Sequence, residues 1–212
     1  MIKLIATDMD GTLLNAAHEI SEENINAIKY AQSKGITVVI ATGRAFYEAS
    51  TPMAETDLKV PYICLNGAEV RDESFNIMNT SHLNHELVER IKAILDREDV
   101  YYQVYTNRGI YTEDPTRDLD IYLDIARNAG QQGDVEKIKA GIQQRIDNGT
   151  LKIVDNYKDI EDIPGELIMK VLAFNPDLEK IERIGQELST ISSLAVSSSS
   201  RGNLEITHSD AQ

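Results

Sequence analysis

The chain has 212 residues, 42% hydrophobic and 26% charged, with a net charge of −14 at pH 7, which is ordinary for a globular protein of one large or two small domains. This acidic balance argues against binding to nucleic acid or to an anionic membrane, because phosphate groups are held by basic side chains. No stretch is apolar enough to span a bilayer, and Asp8 lies where a signal peptide needs an apolar region, so we expect a cytoplasmic protein.

The first predicted element is a strand with the apolar residues Ile2, Leu4, Ile5 and Ala6, of the kind found when a central parallel strand is covered on both faces. The strand ends in two carboxylates, Asp8 and Asp10. Ligands of open α/β sheets bind just beyond the carboxyl ends of the strands, and Gly11 allows the chain to turn sharply there with its amides facing outward. The sequence therefore predicts a phosphate-sized site at the end of this strand.

A helix follows, with Ser21 as its N-cap and an end near Lys34, before Gly35. Acidic residues occupy its first turn, and Ile25, Ile28 and Ala31 share one face. The helix predicts a right-handed βαβ crossover, which places the next strand parallel to the first with both carboxyl ends on one side.

The second strand, residues 36–41, is rich in β-branched residues and ends in Thr42, Gly43 and Arg44. A hydroxyl and a glycine amide can donate to phosphate oxygens, and the guanidinium is a planar fork for a phosphate or a substrate oxygen. An ordinary strand-to-helix turn, with Thr42 as N-cap and Arg44 on the surface, is the alternative.

The third strand begins at residue 60 and ends in the turn Asn66-Gly67-Ala68. Asn-Gly is an ordinary hairpin signal, and residues 69–71 can form the return strand, which does not exclude a further role for Asn66. Cys64, the only cysteine, lies in the apolar part of this strand and is most simply a small buried hydrophobe in a reducing compartment.

Residues 8–13, Asp-Met-Asp-Gly-Thr-Leu, match the first motif of the haloacid dehalogenase superfamily, and Thr42 matches its second motif. Together with the turn at residues 66–68, they resemble the Cof-type phosphatases of that superfamily. The resemblance implies an α/β fold: a Rossmann-like parallel-sheet core with an inserted α/β cap domain of class IIB.

The resemblance also implies roles for individual residues. Asp8 would be the nucleophile that forms an aspartyl-phosphate, and Asp10 would protonate the leaving alcohol and later activate water. Mg²⁺ would bind the Asp8 carboxylate and the Asp10 carbonyl. The residues expected to hold the phosphate or substrate are Met9, Gly11, Thr42, Gly43, Arg44 and Asn66.

Around residue 80 the sequence changes from strongly apolar strands to alternating helical and strand-like segments, and we place a domain boundary there. We expect core residues at 1–80, an α/β cap at 81–206 and a return linker at 207–212. The predicted cap elements are a helix around residues 87–94, a hairpin at 101–105 and 110–112, helices near 115–130 and 133–148, strands at 151–154 and 168–174, a helix at 177–188, and strands at 194–197 and 204–206.

The chain departs from the Cof-type pattern after the cap. That pattern requires a lysine and then acids in a turn of GD-x-x-ND type, whereas this sequence ends at Gln212. Lys170 lies in a predicted cap strand and is a poor substitute. From the resemblance we expect a core that is incomplete at its C-terminus, weak metal binding and little activity in the 212-residue chain.

The sequence favours a magnesium-dependent phosphatase of small phosphorylated metabolites, such as sugar phosphates or flavin-precursor phosphates. A non-catalytic protein or inactive fragment that binds such metabolites is the alternative from another class. A phosphomutase that uses the same aspartyl-phosphate is a third possibility, because fold alone does not decide among these functions.

Overall fold

The computed structural model describes residues 2–128 and 134–211 and divides the chain into two compact units. The first unit comprises Met1–Ser81 together with Asp210–Gln212, and the second comprises His82–Ser209. Within the described residues, no helix is long and apolar enough to cross a membrane.

The first unit contains a five-stranded sheet in the order β1-β2-β3-β4-β5. The β1-β2 and β2-β3 pairs are parallel, and the β3-β4 and β4-β5 pairs are antiparallel. The strand bounds are β1 Leu4–Thr7, β2 Thr37–Ala41, β3 Tyr62–Cys64, β4 Glu69–Arg71 and β5 Ile77–Thr80. The parallel pairing of β1 with β2 and the hairpin that follows β3 were both predicted from the sequence, and both are confirmed.

Helix α1, Glu22–Ser33, connects β1 to β2 as predicted. The Ser21 hydroxyl accepts a hydrogen bond from the Asn24 amide at 3.2 Å, which satisfies one of the free amides of the first turn. Gly35 follows the helix with a φ of 73°, a left-handed conformation that glycine adopts readily. A second, short helix, α2, spans Phe46–Ser50.

The prediction that the first strand is central and covered on both faces was wrong. Strand β1 lies at the edge of the sheet and pairs, among the described strands, with β2. The Leu4 side chain is 58% exposed and Ile5 is 39% exposed, whereas Ile40 on β2 is 0% exposed. An apolar run identifies a strand with strong β propensity, but its position in the sheet depends on which other strands pair with it.

The core of the first unit lies instead against β2 and β3. It also includes residues from the turn after β1, from α1 and from the segment that leads into β3. The buried residues of this core are Met9, Leu13, Leu14, Ile28, Val38, Ile40, Ala49, Met53, Leu58, Val60, Tyr62 and Cys64.

The second unit contains a six-stranded sheet in the order β10-β11-β9-β6-β7-β8, in which every pair is antiparallel except β7 with β8. The strand bounds are β6 Tyr101–Thr106, β7 Gly109–Thr112, β8 Leu151–Ile153, β9 Ile168–Phe174, β10 Leu194–Ser197 and β11 Asn203–His208. The predicted hairpin and the strand at residues 168–174 are confirmed. The last strand continues to His208, two residues beyond the predicted end of the cap.

In the described part of the second unit, residues 82–128 and 134–209, the α-helices are α3 His85–Arg97, α4 Pro115–Asn128, α5 Val135–Asp147, α6 Lys158–Glu161 and α7 Leu178–Ser189. Apolar residues of α3 and α7, among them Ile91 and Ile184, form one core with Val104 and Val171 of the sheet. The predicted helices agree with α3, α4, α5 and α7, although the part of the prediction at residues 129–133 lies outside the described residues.

Asp118, in the first part of α4, is a buried carboxylate that we did not single out in the sequence. Its side chain is 0% exposed, and Oδ1 accepts hydrogen bonds from the Tyr101 hydroxyl and, at 2.7 Å, from Gln103 Nε2. Burial raises the pKa of Asp118, and these two hydrogen bonds oppose the rise. The folded state is therefore more stable, relative to the unfolded state, when Asp118 is protonated than when it is ionised.

We expect the Asp118→Asn substitution to change how stability depends on pH. A raised folded-state pKa gives stability that is present below the unfolded pKa and is lost as pH rises through the folded pKa, at about 1.4 kcal/mol per unit of pKa difference. The melting temperature of the wild type should therefore fall relative to that of the variant as pH rises above about 3.9, the ordinary pKa of an aspartate. Asp114, whose pKa is lowered mainly by a hydrogen bond from Thr116, is a control of opposite sign. A pH-independent difference would contradict the role of burial.

Candidate active site

Asp8 and Asp10 directly follow β1, in a chain reversal that the sequence predicted. A tight turn, Met9–Leu13, follows Asp8, and within it Asp10 (φ −76°, ψ 119°) and Gly11 (φ 73°, ψ 3°) are not helical. The Met9 side chain is 0% exposed and anchors the turn in the core, whereas both carboxylates are exposed. The turn therefore presents two carboxylates to solvent at the carboxyl end of a strand.

Thr42 and Arg44 follow β2 at the same end of the parallel pair. The Thr42 residue is buried, and its hydroxyl oxygen accepts a hydrogen bond from the Arg44 amide at 3.2 Å. Helix α2 begins after Ala45, so Thr42 stabilises its own turn and is not the N-cap of that helix. The alternative that we drew from capping frequencies is thus wrong in this detail.

The turn after β3 is bonded to the Thr42–Arg44 turn through the backbone. The Leu65 amide donates to the Arg44 carbonyl at 3.0 Å, and the Asn66 amide donates to the Thr42 carbonyl at 3.3 Å. Leu65, Asn66 and Gly67 have φ values of 51°, 58° and 96°. It is uncommon for two successive non-glycine residues to have left-handed backbone dihedrals. Such strain persists where the surrounding structure imposes it, often at functional sites.

The most direct side-chain contact of the site joins Arg44 to Asp10. Arg44 Nε donates to Asp10 Oδ2 at 2.8 Å, and Arg44 Nη2 donates to Asp10 Oδ1 at 2.6 Å. The sequence assigned both residues to the site but gave Arg44 only a phosphate or a substrate oxygen as partner. Since the two residues are 34 positions apart, no local pattern indicates this pairing.

Asp8 is the remaining candidate for chemistry, and its position directly after β1 places it at the site. Asp8 does not cap the turn that follows it, and its side chain is exposed. The structure brings together Asp10 with Arg44, and the turn containing Thr42 with the turn containing Asn66. The Asp8 side chain makes no capping hydrogen bond within the described residues.

Cys64, which directly precedes the turn after β3, is not a reactive nucleophile. Burial, reinforced by the nearby Glu69 carboxylate, raises the pKa of the Cys64 thiol to about 12. Burial likewise raises the pKa of Tyr62 to about 12. The thiol therefore stays protonated at neutral pH, as a small buried hydrophobe does.

Lys170, the lysine that we considered as a substitute for the family's, belongs to the second unit. Its ammonium group contacts Glu205 Oε2 at 2.9 Å and lies 4.8 Å from the centre of the Tyr105 ring, with 3% of the residue exposed. This lysine is part of a buried ion pair on the sheet of that unit.

The model of the haloacid dehalogenase-like hydrolases matches residues 5–212, and the chain belongs to this family. Within the family it is an enzyme of the phosphatase type. Phosphatase YwpJ of Bacillus subtilis is 30% identical over 207 residues, which cover 97% of this chain and 73% of YwpJ. The 5-amino-6-(5-phospho-D-ribitylamino)uracil phosphatase YwtE of the same organism is 32% identical over 97% of this chain and 71% of its own length.

Solved structures agree with this assignment. A haloacid dehalogenase-like hydrolase from B. subtilis superposes with a TM-score of 0.82 at 30% identity, and the match covers 98% of this chain and 73% of that one. A haloacid dehalogenase-like hydrolase from Bacteroides thetaiotaomicron, at 24% identity and a TM-score of 0.70, shows the same fold.

Proposed function

We propose that this protein is a magnesium-dependent phosphatase of small phosphorylated metabolites that works through an aspartyl-phosphate. The observation that carries the proposal is the placement of Asp8 and Asp10 in the turn after β1, with Asp10 in contact with Arg44 from the turn after the parallel strand β2. Carboxylates for covalent and acid-base chemistry thus adjoin a guanidinium suited to phosphate.

In the proposed reaction, a carboxylate oxygen of Asp8 attacks the phosphorus of the substrate and forms a bond to it, while the bond between phosphorus and the ester oxygen of the substrate breaks. Asp10 gives its proton to the departing oxygen, which leaves as an alcohol. In the second half, Asp10 takes a proton from a water molecule, the water oxygen attacks phosphorus, and Asp8 leaves as a carboxylate with release of inorganic phosphate.

The phosphate would be held by groups on the three turns. Arg44 offers a planar guanidinium, Thr42 and Gly43 belong to the same turn, and the amides around Met9 and Gly11 lie in the turn after β1. Asn66 joins them through the backbone hydrogen bond between the second and third turns.

Asp8 and Asp10 supply oxygen ligands of the kind that a magnesium ion takes, although too few for tight binding. Mg²⁺ binds oxygen ligands, commonly one or two carboxylates with substrate phosphate and water. The exposed Asp8 carboxylate, which is not used as a helix cap, and the Asp10 backbone carbonyl would hold the ion. When bound, the ion offsets the repulsion between the Asp8 carboxylate and the incoming phosphate.

The names of the relatives support small phosphorylated metabolites as substrates. YwtE is named for a phosphorylated ribityl-aminouracil, and a relative in Serratia proteamaculans is named HMP-PP phosphatase. We therefore propose sugar phosphates and flavin-precursor phosphates as the classes to test first.

We expect magnesium-dependent release of inorganic phosphate from at least one sugar phosphate or ribityl phosphate ester by the extended form of the chain, and little release by the 212-residue chain alone. The assay should compare the 212-residue chain with the same chain joined to the C-terminal part of YwpJ that lies beyond the matched region, both with and without EDTA. Transfer of phosphate to a second hydroxyl without release would indicate a phosphomutase. Ligand binding without turnover in either form would indicate a binding protein and contradict the proposal.

A further inference from the structure

Arg44 holds Asp10 through a two-point contact that uses both carboxylate oxygens, at 2.8 and 2.6 Å. The Arg44 backbone is fixed by the Thr42 hydroxyl and the Leu65 amide, so only its side chain is able to move without opening the turn. The side chains are 24% exposed for Arg44 and 51% exposed for Asp10. The pair is therefore a surface contact on a rigid backbone.

This contact conflicts with the work proposed for Asp10. A general acid or base must lie about 2.6 to 3.2 Å from the atom with which it exchanges a proton. The fork instead fixes the plane of the Asp10 carboxylate against the guanidinium, with an N–H group on each oxygen. Asp10 has to turn away from Arg44, at least in part, before it reaches a leaving oxygen.

A phosphoryl group is a strong competitor for the same fork. It carries more negative charge than a carboxylate and matches the paired N–H donors of a guanidinium equally well. Water reaches both partners of this pair and screens their attraction, so the Arg44 side chain is able to exchange one anionic partner for another.

We propose that Arg44 is an exchangeable positioning residue: it holds Asp10 while the site is empty, and it transfers to the phosphoryl oxygens when a phosphate binds, which releases Asp10 for proton transfer. This inference rests on the proposed function and adds to it an order of events, in which phosphate capture precedes acid-base chemistry.

A double-mutant cycle on the affinity for inorganic phosphate tests the exchange. Calorimetry with saturating magnesium would compare the wild-type 212-residue chain, Asp10→Asn, Arg44→Gln and the double variant. If Arg44 changes partners, Asp10→Asn removes the carboxylate that competes with phosphate for Arg44, and phosphate binds more tightly. This gain in affinity should be about 2- to 5-fold larger in the wild-type background than in the Arg44→Gln background. If Arg44 stays on Asp10, the order reverses, because Arg44→Gln then exposes phosphate to the bare Asp10 charge.

Lys29→Gln is the matched control, because it removes a positive charge of the same unit that pairs with the exposed Asp57 at 2.7 Å. It should leave phosphate affinity within about 2-fold of the wild-type value, as expected for an exposed ion pair. A loss as large as that of Arg44→Gln would mean that net charge, and not the fork, governs binding, and would overturn the inference.

The ¹⁵N signal of the Arg44 Nε–H group gives a readout that a purely structural role would not move. It is assigned by its loss in Arg44→Gln, and it should shift when inorganic phosphate is added to the wild type. Phosphate that perturbs the amides of residues 9–12 and 42–44 but leaves this signal in place, with the reversed cycle, would overturn the exchange and retain the proposed function. The absence of any phosphate binding would overturn both.

Discussion

In this chain joined to the C-terminal part of YwpJ, we expect the Asp8→Asn substitution to abolish phosphate release and to prevent formation of a phosphoenzyme. An amide at this position does not form the covalent intermediate, and removal of an enzymatic nucleophile typically costs about 10⁴-fold or more in rate. Because the Asp8 side chain is exposed and does not cap the following turn, the variant should fold as the wild type does. Turnover would be followed by phosphate release, and the phosphoenzyme by mass spectrometry after an acid quench.

Asp10→Asn is the matched comparison, since the carboxylate lies two residues away in the same turn. Loss of a general acid slows a reaction by about 10²- to 10⁴-fold, and the effect should be smaller for an ester with a good leaving group, such as p-nitrophenyl phosphate. Phosphoenzyme formation should survive in this variant. Normal turnover by Asp8→Asn at saturating magnesium would refute the assignment of the nucleophile.

The second large effect concerns Gly67, in the turn that carries Asn66. A Cβ atom built on Gly67 would lie 1.6 Å from the Ala211 carbonyl oxygen, and the residue has a φ of 96°. The segment around Ala211 is itself anchored, because the Ser81 hydroxyl donates to the Asp210 carbonyl at 3.2 Å. We expect Gly67→Ala to destabilise the first unit by about 2 to 5 kcal/mol, from left-handed strain together with overpacking.

Gly35→Ala separates these two causes. Gly35 has a φ of 73°, but a Cβ atom there meets nothing within 4 Å. Its substitution should cost only the left-handed strain, about 1 to 2 kcal/mol. Urea unfolding of the two variants measures the difference. Equal losses would show that the Ala211 backbone does not approach Gly67 in solution.

Local pattern determined which elements form and where chemistry is concentrated. The run of β-branched residues before Thr42 predicts β2, and Ser21 and Gly35 mark the ends of α1, because strand propensity and helix capping act over a few residues. The same reasoning placed Asp8, Asp10 and the two later turns at the ends of strands, and the resemblance to the haloacid dehalogenase superfamily added roles that stay predictions.

Tertiary structure decided what the local pattern does not encode. The apolar residues of β1 predicted a buried strand, yet Leu4 is exposed, since burial depends on which distant segments cover it. Three contacts join residues that are distant in the sequence. They are the ion pair of Asp10 with Arg44, the approach of Ala211 to Gly67, and the hydrogen bond from Tyr101 to the buried Asp118. Periodicity and capping identify elements because they depend on neighbouring residues, whereas such contacts follow only from how the finished elements pack.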